Sequence, residues 1–313
     1  MTSRIYFNEV ATRDGFQIEK MFVPTDTKVA LIDALSECGY AKIEVTSFTS
    51  PKAIPMLRDA DEVMGRIRRL PGVQYVALVP NLRGAERALE ARADELNLVM
   101  SVSQTHNLAN LRMTMAKSFA SLTEVISLVG SRAHVNVSLA CGFGCPMEGA
   151  VPQQDVLAWA SRYADLGVRG ITVCDTTGMA HPVQVGRMAE ALQKQAGHLQ
   201  LAFHFHNTRG MGLANVLAAV QAGMRRFDGS LGGLGGCPYA PGASGNISSE
   251  DTVYMLEAMG YDTGMNITRL FEVARQLPDI VGHEVPGQVA KAGLITDLHP
   301  APEYVVALRA QPA

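Results

Sequence analysis

The sequence predicts a (β/α)8 barrel of the TIM type, from three observations. Eight short runs rich in β-branched residues alternate with longer segments of helical periodicity. Strands that recur with a helix between them are parallel, because parallel neighbours need long crossover connections. The segment after the first run, Glu9-Val10-Ala11-Thr12-Arg13-Asp14-Gly15, lacks the G-x-G-x-x-G turn of an open dinucleotide-binding sheet, which favours closure.

The strand candidates, in order, are Ile5 to Val10, Ala41 to Thr46, Gln74 to Val79, Leu96 to Val102, His134 to Leu139, Gly170 to Cys174, Leu199 to His206 and Arg226 to Ser230. Helical periodicity begins near Thr25, carries Val29, Leu31, Ile32 and Leu35, and stops at Gly39. A second such segment runs from Val156 through Trp159 and Tyr163 to Gly167, and a third from Leu213 through Val216 and Val220 to Gly223. After the eighth strand come a helix from about Glu250 to Met259 and a helix-like stretch at Asn266 to Gln276. No low-complexity linker interrupts the 313 residues, so one domain is expected, with a helical C-terminal extension from about residue 261.

Composition narrows the classes of function. A formal net charge of −3 removes the electrostatic footprint of a general nucleic-acid binder. No apolar run approaches the roughly 20 residues that cross a bilayer, so no membrane partner is expected. The start, Met1-Thr2-Ser3-Arg4-Ile5-Tyr6, lacks the apolar core of a signal peptide. Five scattered cysteines suit free thiols in a reducing compartment, and a cytoplasmic protein is expected.

In a barrel of this kind the chemistry gathers at the C-terminal ends of the strands. His204-Phe205-His206 ends the seventh strand, where alternation sends residues i and i+2 to one face. Two imidazoles so placed suit a divalent metal; a helix cap or a bond to a neighbouring strand is the alternative. Arg13-Asp14 follows the first strand, only two places away once the barrel closes. Alone it reads as a structural ion pair. Beside the histidines, Asp14 can add a carboxylate oxygen while Arg13 stabilises developing negative charge.

The segment Gly232-Gly233-Leu234-Gly235-Gly236-Cys237-Pro238-Tyr239, continuing through Gly242-Ala243-Ser244-Gly245-Asn246, follows the eighth strand. Dense glycine permits close backbone approach to a ligand and motion between open and closed states. Cys237 within it is either an incidental thiol on a surface loop or one able to exchange a proton at the site. Asp175 and Glu44 complete a ring of polar strand ends, as buried hydrogen-bonding carboxylates or as aids to proton transfer. The Ser103-to-Asn107 segment after the fourth strand could line a pocket, with His106 there or capping the next helix. Cys141 and Cys145 lack a second pair of thiols and make a poor zinc site.

These residues carry a resemblance to the 3-hydroxy-3-methylglutaryl-CoA lyase family. Asn8-Glu9-Val10-Ala11-Thr12-Arg13-Asp14-Gly15-Phe16-Gln17 is similar to its opening motif. Ile43-Glu44-Val45-Thr46-Ser47-Phe48, Cys174-Asp175-Thr176-Thr177-Gly178, His204-Phe205-His206 and the loop from Gly232 to Asn246 follow in the family's order. The Cys237 loop is the most specific element. It separates these lyases from Claisen-type synthases that share the Arg-Asp and His-x-His signatures.

The resemblance implies a divalent cation, Mg2+ or Mn2+, held by Asp14, His204, His206 and Asn246. It implies catalytic roles for Arg13 at an enolate oxygen, for Asp175 with His204 at the substrate hydroxyl, and for Cys237 as the proton carrier. Gln17 and Glu44 would support Arg13 and the substrate. The implied reaction is retro-aldol cleavage of an acyl-CoA by a homodimer or higher homo-oligomer, with Lys20 a candidate phosphate contact. Departures are Asn207 where the family usually has Asp, Cys174 where it usually has Gly, and the Ala11-Thr12 and Ser103-to-Leu108 regions. They bear on which acyl group fits: citramalyl-CoA or another carboxylated 3-hydroxyacyl-CoA stands as the alternative. A Claisen-type synthase and a non-catalytic acyl-CoA-binding barrel are the further readings.

Overall fold

The structure is a computed structural model, and residues 4–236 and 245–311 are described. Eight parallel strands close in sequence order, β1-β2-β3-β4-β5-β6-β7-β8. They are β1 Tyr6–Glu9, β2 Lys42–Ser47, β3 Gln74–Leu78, β4 Glu95–Ser101, β5 His134–Ala140, β6 Gly170–Asp175, β7 Gln200–Phe205 and β8 Arg226–Gly229. All eight expected strands are present, with no end shifted by more than one residue.

The crossovers are α1 Thr25–Ser36, α2 Ala60–Arg66, α3 Leu82–Glu90, α4 Gln104–Leu111 and α5 Met115–Val129, then α6 Gln153–Ala164, α7 Pro182–Ala196 and α8 Gly212–Gln221. After β8 come α9 Ser249–Ala258, α10 Ile267–Val281, α11 Val289–Ala292 and α12 Glu303–Arg309. The glycines read as helix stops behave accordingly: Gly39, Gly167 and Gly223 all take positive φ.

Two stretches go beyond the expectation. Between β4 and β5 the chain forms α4 and α5, divided at Arg112, which sits in the left-handed region at φ +56°. Their caps are Ser103, whose Oγ accepts from His106 N, and Thr114, which accepts from Lys117 N. His106 is therefore inside α4 rather than capping it. The stretch expected to end at Gln276 continues past Pro278 to Val281, and Gly282 at φ +77° ends it.

Register puts the chemistry on one level. Phe7, Phe227 and Phe203 are cross-strand neighbours, and so are Asn8, Asp228 and His204 one residue on. Alternation turns the phenylalanines to the helix layer, where all three are buried. It turns the polar trio into the barrel, with Cys174 beside His204 on β6. Lower in the barrel Lys42 Nζ bonds both oxygens of Glu95 at 2.6 Å, an ion pair sealed from solvent.

Closure between β1 and β8 has a clasp. Buried Glu9 accepts through Oε1 from Ala11 N at 2.8 Å and Leu231 N at 2.9 Å, and through Oε2 from Ser249 Oγ at 2.9 Å. Burial pushes its carboxyl above the ordinary range, against these hydrogen bonds. Removing the side chain strands those buried donors, each costing roughly 1–3 kcal/mol. We predict that Glu9→Ala lowers stability in urea by about 3 kcal/mol or more. Glu9→Gln keeps both backbone bonds and can donate to Ser249. It should match the wild type, and surpass it as pH rises and the native carboxyl is forced to ionise.

Candidate active site

The first strand ends in a tight π-helical turn, Ala11–Gly15, in which Val10 O accepts from both Arg13 N at 3.1 Å and Asp14 N at 2.7 Å. Single π turns of this kind cluster at functional sites. This one aims Arg13 and Asp14 into the barrel mouth. Arg13 Nε donates to Glu44 Oε2 at 2.6 Å and its other arm to Asp14 Oδ1 at 2.5 Å. Glu44 is held in turn by Asn97 Nδ2 at 2.8 Å. Gln17 Nε2 donates to Asp14 Oδ1 at 2.9 Å, so it steadies the carboxylate rather than the guanidinium.

Across the mouth, His204 Nε2 and His206 Nε2 stand 3.1 Å apart, and His206 Nε2 is 4.0 Å from Asp14 Oδ2. One donor atom from each of Asp14, His204 and His206 lies within 4.8 Å of the others, all three residues buried. Asn246 reaches the same point because the chain returns from the glycine loop to bridge His206. Its Nδ2 donates to Asp14 Oδ2 at 2.7 Å and to Leu234 O at 2.9 Å. The amide thus presents its nitrogen to Asp14, while its Oδ1 is buried without a partner. Backbone freedom is required here. At Gly235, φ +112°, a Cβ would lie 2.4 Å from Asn246 Nδ2, and at Gly245, φ +96°, 2.1 Å from Gly233 O.

The electrostatics suit a cation. Burial alone would raise the Asp14 carboxyl, but Arg13, then His204 and the Asn246 hydrogen bond, hold it down at about 2. Burial and the neighbouring His204 push His206 down to about 3, which leaves its ring neutral. Burial opposes charge on Arg13 too, yet Glu44 and Asp14 keep it firmly protonated. An anionic oxygen, two imidazole nitrogens and an orphaned amide oxygen form a donor set that fits a divalent cation of the Mg2+ or Mn2+ type.

A cavity of about 450 Å3 opens over this group. It is lined by the polar Arg13, Asp14, His204, His206 and Asp228 and by the apolar Ile54, Val79, Pro80 and Leu111. His106, Gln17 and Cys174 line it as well.

Asp175 ends β6 but stands apart from the cation-ligand group. Its Oδ1 accepts from Met179 N at 2.7 Å and Ala180 N at 3.1 Å, and its Oδ2 has no partner. Burial raises it to about 6, the backbone bonds and His204 pulling the other way. Cys237 lies outside the described residues. Cys141 and Cys145 are buried, and Cys145 Sγ meets Ser103 Oγ at 3.0 Å.

The carboxylate that does touch His204 is Asp228, whose Oδ2 lies 3.2 Å from Nδ1. Sequence reading passed over it. The signal was available: Phe7-Asn8, Phe203-His204 and Phe227-Asp228 repeat one pattern, an aromatic outside and a polar group inside, on three adjoining strands.

The HMGL-like family model matches residues 4–277. The hydroxymethylglutaryl-CoA lyase of Bacillus subtilis is 42% identical over 287 residues, 91% of this chain and 96% of that one. The human mitochondrial hydroxymethylglutaryl-CoA lyase is 38% identical over 93% of this chain and 90% of its own. Among solved structures, an HMG-CoA lyase from Acenitobacter baumannii, in complex with coenzyme A and 3-methylmalate, superposes with a TM-score of 0.93. It is 53% identical and covers 96% of this chain and 100% of its own. The chain belongs to the HMGL-like family.

Proposed function

We propose that the protein is a divalent-cation-dependent carbon–carbon lyase that cleaves 3-hydroxy-3-methylglutaryl-CoA to acetyl-CoA and acetoacetate. The observation that carries this is the meeting of Asp14, His204 and His206 beside a guanidinium fixed by two carboxylates. Asn246 would complete the ligand set through its orphaned Oδ1. When bound, Mg2+ or Mn2+ would chelate the substrate's hydroxyl and distal carboxylate and make the hydroxyl more acidic.

The chain's own groups do the rest. On the resemblance, Asp175, whose Oδ2 is buried without a partner, takes the hydroxyl proton, and the neighbouring His204 favours its ionised form. The bond between the carbinol carbon and the carbon next to the thioester then breaks. Its electron pair passes to the thioester as an enolate, and the carbinol carbon becomes the ketone of acetoacetate. Arg13 offers fixed positive charge to the enolate oxygen, with Glu44 and Gln17 keeping its surroundings in place. Cys237, on the resemblance, returns a proton to the enolate carbon to give acetyl-CoA. Among the described residues no helix is long and apolar enough to cross a membrane. A homodimer or higher homo-oligomer is the arrangement we propose from the resemblance, and the cytoplasm is the compartment we propose from the scattered cysteines.

A second reading has its own support. Cys174 lines the pocket with His204, and the A. baumannii relative holds 3-methylmalate with coenzyme A. A related carboxylated 3-hydroxyacyl-CoA, such as citramalyl-CoA, is the substrate on that reading.

Chelator-treated protein should form no acetoacetate from 3-hydroxy-3-methylglutaryl-CoA until Mg2+ or Mn2+ is returned. Asp14→Asn should cut kcat by about 100-fold or more with either ion. Cleavage of citramalyl-CoA alone would move the substrate and keep the chemistry; turnover undiminished by chelation would reject the cation.

The pH profile tests the base. Asp175 acts only when ionised, so kcat/KM should fall roughly tenfold per unit as pH drops below about 6. Asp175→Asn should lower kcat by about 100-fold or more and abolish that limb. A variant retaining the same acid limb would assign it to another group.

A further inference from the structure

We propose that Asp228, oriented by Asn8, is a positioning residue that fixes which nitrogen of His204 carries the proton. Asp228 Oδ2 lies 3.2 Å from His204 Nδ1, and its Oδ1 accepts from Asn8 Nδ2 at 2.8 Å. The three residues occupy one register level on β1, β8 and β7, so the contacts are set by the ladder and not by a loop. Asp228 and His204 are about nine-tenths buried, which leaves water little part in the choice.

A carboxylate only accepts, so it calls for a proton on Nδ1. In the neutral ring Nε2 is then left with its lone pair, and Nε2 is the atom facing His206 Nε2 at 3.1 Å in the Asp14 group. The opposite tautomer would place a proton where a cation ligand must have none. A partner that locks the second nitrogen of a ligating imidazole typically contributes 10–100-fold to metal affinity.

Asn8 makes this testable by an amide swap. In Asp228→Asn, the new side chain has one oxygen and one NH2. Asn8 Nδ2 still needs an acceptor, so it claims the oxygen and turns the NH2 toward His204 Nδ1. The imidazole must then accept at Nδ1 and carry its proton on Nε2. Adding Asn8→Asp reverses the geometry. A carboxylate at position 8 accepts from the NH2 of residue 228, and the amide oxygen again faces Nδ1. The swap conserves volume and charge and restores the original tautomer.

The inference rests on the cation reading for its affinity arm and not for its tautomer arm. Free Mn2+ would be counted by electron paramagnetic resonance, and the His204 ring read by long-range 15N–1H correlation in Mg2+-loaded and metal-free protein. We expect Asp228→Asn to weaken Mn2+ binding by about 10–100-fold and to move the ring proton to Nε2. The Asn8→Asp/Asp228→Asn swap should restore affinity to within about fivefold, a margin small against that loss, together with the Nδ1–H ring. Native Mn2+ affinity and an Nδ1–H ring in Asp228→Asn would overturn the proposal. If the wild type takes up no Mn2+, the cation reading fails, and the tautomers alone decide for or against Asp228. Should Asp228→Asn not fold, the swap carries the test: a folded swap with its proton on Nε2 contradicts the assignment.

Discussion

A buried carboxylate that must stay an anion is the constraint around which this barrel mouth is arranged. Asp14 is 7% exposed, and taking an ionised carboxylate out of water costs several kcal/mol unless opposite charge and hydrogen bonds replace the solvent. Arg13, Gln17 and Asn246 supply those replacements from three directions. Arg13 is itself buried and needs a second anion, which Glu44 provides. The π-helical turn lets adjacent residues, Arg13 and Asp14, serve the same site, and the glycines at 235 and 245 let backbone come close enough for Asn246 to reach it.

The barrel turns these local needs into a frame. Cross-strand register aligns Asn8, Asp228, His204 and Cys174 without help from the connecting loops. Below them Asn97 accepts from Asn136 and Ser138 while donating to Glu44, which links the Arg13 anchor to β4 and β5. An interior this polar departs from the branched aliphatic filling usual in such barrels. Each hydrogen bond within it reduces the freedom of a group that meets the cavity. Electrostatic preorganisation of this kind places the cost of ordering in folding rather than in each turnover.

Much of this was legible in the sequence, for physical reasons. Strand periodicity located all eight strands because buried parallel strands demand β-branched runs. The convergence of Asp14 with His204 and His206 followed from closure alone. Helix ends were legible at Gly39, Gly167 and Gly223, where a positive φ favours glycine. The helix pair after β4 was not, because its division depends on Arg112 taking a left-handed conformation that no residue type announces. Asp228 was missed because a single aspartate in a strand looks like an interruption until its neighbours across the ladder are known. Asp175 was legible as a strand-end carboxylate, but its occupation by the amides of Met179 and Ala180 is a property of the loop's path.

The central claim is that Asp14, His204 and His206 share one cation, and locating the ion tests it most directly. Crystals grown with Mn2+ and measured at the manganese absorption edge should show an anomalous peak within coordination distance of Asp14 Oδ2, His204 Nε2 and His206 Nε2. A fully occupied peak elsewhere in the molecule, or none there at saturating Mn2+, would contradict the account.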